Sequence, residues 1–213
     1  MKKIVKNLLL LISLFLIYSC EPKIDIFGGN EHYKFSNSDE IYLFKEYNNV
    51  REIRQFINEN NRVVNIEIER YKIERKSSGF LSPGKMYYYD NLVIIFKLTE
   101  LNSDVCNKII ISISKSKDGK LDSSISIPTS FEDTCGGIMF QYKIPEPIEY
   151  EINEINIGNI TYENVIILDG TESSRKYLSF FEESEVHNVY FDLKKGIIGF
   201  DDSVSNTKFR ITN

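Results

Sequence analysis

The sequence predicts a mainly β protein, in which an antiparallel sheet, a sandwich or a half-barrel carries one packed helix. Three observations lead to this prediction. Most of the chain from residue 33 onward alternates apolar and polar residues with period two. Turn signals rich in Gly, Asn and Asp separate these stretches. Only one stretch has apolar residues at helical spacing. At 213 residues, the chain is long enough for one such domain to bury a sizeable core.

The segment NRVVNIEIERYKIER contains the first strong strand pattern. Apolar residues alternate as far as Ile68, and the phase then slips so that Tyr71 and Ile73 continue the pattern. A slip of one residue would turn the strand over, so we expect a β-bulge near Arg70.

The preceding segment, NNVREIRQFINEN, is the single helix candidate. Its apolar residues recur at helical spacing: Val50, Ile53, Phe56 and Ile57. Asn49, followed three residues later by Glu52, resembles a capping box. The apolar stripe lies on one side, so we expect this helix to pack on a sheet.

The segment KIIISISKSKDGKLDSSISIP is the clearest hairpin. A two-residue turn at Asp118-Gly119 would put the apolar residues of the two strands on opposite faces. A three-residue loop, Lys117-Asp118-Gly119 with a left-handed Gly119, instead pairs Ile111 with Ile125 and aligns the two apolar faces. We therefore predict the three-residue loop.

Further hairpins are predicted near the C-terminus, in EINEINIGNITYENVIIL and SEVHNVYFDLKKGIIGFDD. Gly158-Asn159 is a turn signal, and Lys194-Lys195-Gly196 suits a three-residue loop. That loop would set Phe191 opposite Gly199, where an aromatic ring can cover a glycine.

The first twenty residues have the order of an export signal. Three lysines precede an apolar run, Leu8 to Tyr18, that is about half the length needed to span a bilayer as a helix. This favours a cleavable signal over a permanent anchor. The next residues, Ile17-Tyr18-Ser19-Cys20, resemble the lipobox of bacterial lipoproteins, although Tyr18 is bulkier than the usual residue at its position.

The resemblance implies that residues 1–19 are removed and that Cys20 is lipidated. Several acyl chains on one cysteine make a stable membrane anchor. Residues 20–32 then comprise the lipidated cysteine and a flexible tether, and residues 33–213 a single β-rich domain. Glu21 is not the aspartate that retains some lipoproteins in the inner membrane. We therefore expect an outer-membrane location in the cell envelope, on either side of that membrane.

A second resemblance lies in ITYENVIIL followed by VYFDLKKGIIGF. These segments are similar to the ending of small, mostly uncharacterised envelope lipoproteins of diderm bacteria. The matching residues are Tyr162, Asn164, Val165, Tyr190, Gly196, Ile197, Ile198 and Phe200. Phe191 and Asp192 depart from the pattern. The resemblance implies a hairpin that closes an antiparallel sheet and an envelope setting, and it implies no activity.

Two cysteines remain once Cys20 is lipidated. Cys106 and Cys135 form an even pair in an exported chain, which favours a disulfide bond. The bond would close a loop of about 30 residues and contribute about 3.5 kcal/mol in the chain-entropy model. Two buried thiols, a metal site or a nucleophilic Cys135 are the alternatives. No metal-ligand spacing accompanies the cysteines, so we expect no metal.

Composition and motifs favour binding over catalysis. The formal net charge is −5, and it becomes −8 when the three lysines of residues 1–19 are removed, so nucleic acid is not an expected partner. The two histidines are His32 in the tether and His187 near Ser179 and Ser184 in sequence, and no G-x-S-x-G motif or nucleotide-binding loop is present. We therefore assign no catalytic residue and expect no cofactor.

The aromatic strand MYYYDNLVIIFKL offers the first place to look for a ligand. Tyr87, Tyr88 and Tyr89 are possible binding residues; alternatively, Tyr87 and Tyr89 pack on the core and Tyr88 lies on the other face. The function that we expect is a lipid-anchored envelope protein that serves as a non-catalytic binding or structural module for an envelope protein or glycan. The alternatives are an envelope hydrolase acting on glycan, peptide or lipid, and a lipid-binding carrier whose sheet curves around its ligand.

Overall fold

The structure is a computed structural model that describes residues 31–78, 86–102, 106–129, 136–170 and 177–212. Strands make up about 60% of it, which confirms the mainly β prediction. Two short 3₁₀ helices, Glu40–Tyr42 and Lys45–Asn48, lie between the first two strands. The strands of the described part are β1 His32–Tyr33, β2 Ile53–Ile57, β3 Val63–Ser78, β4 Tyr87–Leu98, β5 Lys108–Lys115, β6 Leu121–Thr129, β7 Gly136–Ile144, β8 Asn153–Ile157, β9 Ile160–Asp169, β10 Val186–Asp192, β11 Gly196–Asp202 and β12 Thr207–Ile211.

The strands form one antiparallel sheet that curls into a half-barrel, as predicted. Eleven strands follow one path in the order β7-β6-β5-β4-β3-β2-β12-β11-β10-β9-β8. The two-residue strand β1 lies outside this path and pairs in parallel with the start of β4. Leu178 forms bridges to Thr129 of β6 and to Val186 of β10, so the two halves of the sheet meet at one end of the half-barrel.

Two local predictions on the N-terminal half of the sheet are confirmed. Ile111 lies opposite Ile125, and Gly119 has a φ of 82° in the predicted three-residue loop. The register of β3 against β4 shifts between Ile68 and Arg70, where we expected a bulge. In both places, a local backbone irregularity keeps the apolar side chains on the core face.

The predicted helix is wrong, because its residues form a turn and strand β2. β2 pairs with β3 on one side and with β12 on the other. Phe56 is 1% exposed, but Val50 is 49% and Ile53 53% exposed, so the apolar residues share no common face. The amide of Asn49 does donate to the Glu52 carboxylate at 3.2 Å, within the turn that precedes β2. The backbone hydrogen bonds and packing that β3 and β12 offer to this segment stabilise a strand more than an isolated helix of about three turns would be stabilised.

The predicted register of the last long hairpin is also wrong. Tyr190, not Phe191, lies opposite Gly199, and an irregularity follows it. The buried carboxylate of Asp192 accepts the backbone N–H groups of the two residues Lys194 and Lys195 at 2.8 and 2.9 Å. This capping fixes Leu193–Lys195 as the loop and pairs Asp192 with Gly196. The register beside the loop therefore differs from the prediction by two residues, and the irregularity after Tyr190 reduces the difference to one.

Phe191 consequently points into the core, and another side chain covers the glycine. Phe191 is fully buried. The side chain of Arg210 lies close to Gly199 and stacks over the ring of Tyr190, with its guanidinium carbon 4.5 Å from the ring centre. An arginine thus takes the covering position that we had predicted for an aromatic ring.

The interior of the half-barrel is filled by side chains from nearly every strand. At its centre, the ring of Phe200 stacks between those of Phe180 and Phe209, at centroid distances of 4.4 and 4.7 Å. All three side chains are fully buried. We call these three residues the phenylalanine stack.

A smaller apolar cluster lies on the opposite face of the C-terminal strands. It consists of Tyr162, Val165 and Ile198, with Ile155, Ile157, Tyr190 and Ile211 packed against them. Ile197 belongs to the main core and its neighbour Ile198 to this cluster, and successive side chains of a strand point to opposite faces. This part of the sheet therefore buries apolar groups on both faces.

Candidate functional site

The three predicted tyrosines lie at the start of β4, beyond the part of that strand that pairs with β5. β5 pairs with β4 only from Asn91 onward, and β1 takes its place beside the tyrosines. Tyr33 of β1 therefore joins them. We call the resulting group of Tyr33, Tyr87, Tyr88 and Tyr89 the tyrosine end.

Three of these rings contact one another on one face. Tyr33 and Tyr87 meet edge to face with centroids 5.5 Å apart. The rings of Tyr87 and Tyr89 are 6.2 Å apart, as expected for residues two apart on a strand. All three are half-buried, and neither Tyr87 nor Tyr89 belongs to the apolar clusters of the described residues. A ligand-binding role for Tyr87, Tyr88 and Tyr89 stays a prediction.

Tyr88 lies on the other face, as the alternation predicted. The guanidinium carbon of Arg75 is 4.8 Å from the centre of its ring, which is a cation–π geometry. The imidazole of His32 approaches it edge on, at 6.5 Å. The tyrosine end thus presents aromatic surface on both faces of a ribbon formed by β1, β3 and β4.

Asp90 fixes β1 against this ribbon. The Nε2 atom of His32 lies 2.8 Å from one carboxylate oxygen of Asp90, and the backbone N–H of Phe35 donates to the other at 3.0 Å. The two bonds tie the start of the domain to β4, so the role of His32 here is to position β1. A catalytic role is not needed to explain this histidine.

Exposed cations surround the tyrosine end. Lys34, Lys72, Arg75 and Lys76 are all exposed. Glu74 lies between two of them, with its carboxylate 3.4 Å from the Lys72 ammonium and 3.5 Å from that of Lys76. Two further carboxylates lie at this end, Glu31 before His32 and Asp90 after Tyr89, so the charges beside the rings are mixed.

The residues considered for serine hydrolysis do not form a catalytic group. His187 is exposed, whereas Ser179 and Ser184 are buried. The Ser184 hydroxyl donates to the carbonyl of Phe181 at 2.7 Å and accepts the N–H of Phe180 at 3.0 Å. These bonds stabilise the turn before β10 and occupy the hydroxyl.

The described ranges also hold no group of three or more His, Cys, Asp or Glu side chains that could bind a metal ion. The loop DDSVSN has several side-chain oxygens that could bind a cation, but the carboxylate of Asp202 accepts hydrogen bonds from the protein backbone. Asp202 accepts the N–H of Glu185 and that of Ser205, both at 3.0 Å, and so caps the turn between β11 and β12. Within the same described ranges, no helix has the length and apolar character to cross a membrane.

The cavities are surface grooves with mixed walls. One, of about 520 Å³, lies along β5, β6 and β7 and includes a row of polar residues, Ser112, Ser124 and Gln141. A second, of about 360 Å³, lies against the smaller apolar cluster and includes Arg54 and Tyr162. The half-barrel itself is occupied by the core. The described part thus shows no apolar chamber of the kind that a lipid carrier requires.

The two predicted sites on cysteines lie partly or wholly outside the described residues. Cys20 and Cys135 are outside them. Cys106 is described, directly before β5, and is not a free thiol. Lipidation of Cys20 and the pairing of Cys106 with Cys135 therefore stay predictions.

Comparisons of the chain with protein-family models, with curated proteins and with solved structures found no match. The case for a site consequently depends on the geometry of this chain alone. Sequence reasoning found Tyr87, Tyr88 and Tyr89 but missed Tyr33, His32 and Arg75. The adjacent aromatic residues His32-Tyr33 were the available signal, at the end of a segment whose composition is that of a tether.

Proposed function

We propose that this protein is a lipid-anchored cell-envelope protein that serves as a non-catalytic binding or structural module. Its anchor is the acylated Cys20 in an outer membrane, and its partner is an envelope protein or a glycan. The basic start, the short apolar run and the lipobox-like IYSC support the anchor. The negative net charge of the chain makes nucleic acid an unsuitable partner.

The observation that carries the binding role is the tyrosine end. Tyrosine rings combine a large apolar face with a polar hydroxyl, and exposed clusters of them are typical of binding surfaces. Here four such rings remain half-buried outside the filled core of the domain. A surface of this kind can bind a partner without catalysing a reaction.

The two alternatives gain no support from the described residues. A hydrolase would require a group such as His187 next to an available nucleophile, but His187 is exposed and the Ser184 hydroxyl is held in a turn. A lipid carrier would require an apolar chamber, and the half-barrel is filled.

We also propose a disulfide bond between Cys106 and Cys135. Cys106 lies just before β5 and Cys135 directly before β7, and β5 and β7 both pair antiparallel with β6 between them. The starts of β5 and β7 are therefore at the same end of the sheet. The bond would tie together the connections on either side of β6.

Mass spectrometry of the protein purified from membranes tests the anchor. We expect an N-terminal acylated Cys20 and the loss of residues 1–19. Cys20→Ala is expected to shift the protein out of the membrane fraction, while Cys106→Ala, the matched control, stays in it. An unacylated wild-type protein in the soluble fraction would contradict the proposal.

A further inference from the structure

We propose that the tyrosine end is the membrane-facing surface of the anchored protein and that its rings lie at the level of the lipid headgroups. The inference rests on the proposed anchor at Cys20. It makes the binding role of the tyrosine end specific by naming its partner, the surface of an anionic bilayer, so that an envelope protein or glycan would bind elsewhere on the anchored domain.

The length of the tether holds the tyrosine end near the membrane. About 12 residues separate Cys20 from His32, and a flexible chain of that length has a root-mean-square span of about 20 Å. Fully extended, it reaches about 43 Å. His32 pairs directly with Tyr88, so the first ordered residues of the domain are themselves part of the surface in question.

The chemistry of the tyrosine end matches the headgroup region. Tyrosine is enriched at membrane–water interfaces because its ring is apolar and its hydroxyl is polar. Tyr33, Tyr87 and Tyr89 present their rings on one face of the ribbon and Tyr88 on the other. Rings on both faces of the ribbon can contact the interface.

The tyrosine end carries cations that can contact an anionic bilayer. Lys34, Arg75 and Lys76 are exposed near the rings, in a chain that is acidic as a whole. Basic residues next to a membrane anchor are attracted to anionic lipids. Glu31, Glu74 and Asp90 at the same end partly offset this attraction, so the rings and the tether length carry the proposed orientation.

The turn between β11 and β12 provides a reference point at the other end of the molecule. β12 pairs with β2 and β2 with β3, so this turn lies near the start of β3, while the tyrosine end lies beside its last residues. β3 has 16 residues, and at about 3.3 Å each the two ends are about 50 Å apart along it. Val204 in this turn is 59% exposed.

The chain contains no tryptophan, so one introduced indole reports on its own position. We would place it by Tyr88→Trp in the full lipidated protein, with Tyr33→Trp as a second position and Val204→Trp as the matched control. Each variant is reconstituted into vesicles of phosphatidylethanolamine and phosphatidylglycerol, with or without bromine on the acyl chains. Co-sedimentation with the vesicles measures anchoring separately.

We expect a blue-shifted emission and about twofold quenching by brominated lipid for Tyr88→Trp, because an interfacial indole lies close to the upper acyl chain. The Val204→Trp variant should keep the emission of a water-exposed indole. Tyr33→Trp gives the same test if Tyr88→Trp does not fold.

Three other outcomes would overturn the inference. Quenching of Val204→Trp to the same extent would mean that the protein lies flat. Vesicle-bound protein with unquenched Tyr88→Trp and Tyr33→Trp would mean that the tyrosine end faces away, available to a glycan or protein, and the proposed anchoring would stand. Lipidated protein that fails to co-sediment would overturn the anchoring as well.

Discussion

The phenylalanine stack and the tyrosine end are two aromatic clusters on the same sheet with opposite surroundings. The rings of Phe180, Phe200 and Phe209 lie almost parallel inside the half-barrel, with interplanar angles of 20° and 10°, and are fully buried. The rings of the tyrosine end meet mostly edge on or tilted and are half-buried. Both clusters have ring contacts in the distance range of attractive aromatic pairs.

The difference shows that position in the sheet, more than ring chemistry, decides what an aromatic cluster does. Phe200 receives neighbours from both halves of the curled sheet, which meet through Leu178. The start of β4 extends past β5, so only β1 and β3 flank the tyrosines. We infer that stability is concentrated in the first cluster and recognition in the second, and substitutions can separate these roles.

The largest loss of stability is expected for Phe200→Ala. It removes the central ring of the phenylalanine stack and leaves a cavity in a filled core, for which losses of about 3–5 kcal/mol are typical. Urea unfolding followed by circular dichroism measures the change in the free energy of unfolding. A loss below about 1 kcal/mol would contradict the central role of the stack, since that is the range of exposed positions.

A loss of about 3.5 kcal/mol is expected when the proposed disulfide is removed, because the unfolded chain regains the freedom of a loop of about 30 residues. Cys106→Ser is the variant, and the oxidised wild type is the reference. Adding a reductant to the wild type should lower its unfolding midpoint and leave that of the variant unchanged. Equal free-thiol counts before and after reduction of the wild type would exclude the bond.

Tyr47→Phe tests how much the hydroxyl of a buried tyrosine contributes to stability. Its ring is buried against Phe44 and Phe96, and its hydroxyl donates to the backbone carbonyl of Lys195 in the β10–β11 loop. Burial raises the pKa of this hydroxyl, so it stays a donor at neutral pH. Leaving the carbonyl without that donor should reduce the free energy of unfolding by about 1–3 kcal/mol.

The control for this substitution is Tyr88→Phe, whose hydroxyl is at the partly exposed tyrosine end. The expected change there is below about 0.5 kcal/mol, as at other surface positions. Similar losses in both variants would mean that the hydroxyl of Tyr47 contributes no more than an exposed one. Both values come from the same urea titrations.

The ion pair of Asp39 with Lys115 is expected to make the free energy of unfolding depend on pH in the acidic range. Burial raises the pKa of Asp39, but hydrogen bonds from Lys115 and Ser36 outweigh it and hold the pKa below its ordinary value of 3.8. A lowered folded-state pKa stabilises the protein above the unfolded-state value, and the contribution disappears as pH falls through the folded-state pKa. Stability from this pair is therefore lost below about pH 4.

Asp39→Asn should remove that part of the pH dependence. We expect the variant to lose about 1.5 kcal/mol at pH 7 and to converge with the wild type as the pH approaches 2. Glu149→Gln, at an exposed position, is a control for the general effect of removing a carboxylate. A constant difference between Asp39→Asn and the wild type from pH 7 to pH 2 would contradict the assignment.

The parts of the fold that depend on neighbours in sequence were predictable. Gly119 and the phase of the flanking isoleucines determine the β5–β6 loop, and the phase slip after Ile68 marks the bulge. The segment around Phe56 was not predictable, because its strand depends on β3 and β12, and β12 lies about 150 residues further along the chain. The register at Phe191 was missed because a single capping carboxylate, Asp192, sets the loop.

The candidate site was predictable in part for the same reason. Three consecutive tyrosines are visible in the sequence, and their alternation placed Tyr88 on its own face. Their exposure depends on where β5 stops pairing with β4, and the contribution of Tyr33 depends on a strand of only two residues. A parallel pairing between residues 32–33 and 88–89 leaves no periodic signal in the sequence.

Of the two alanine substitutions, the smaller loss of stability is expected for Tyr88→Ala. The ring contacts Arg75 and His32 at a partly exposed position, and an exposed cation–π contact contributes about 0.5–1 kcal/mol. The free energy of unfolding should therefore fall by less than about 1 kcal/mol, several times less than for Phe200→Ala. Urea titrations of the two variants, run side by side, measure the ratio. Equal losses would mean that the tyrosine end stabilises the fold as the phenylalanine stack does, and its exposed rings would then need no partner to explain them.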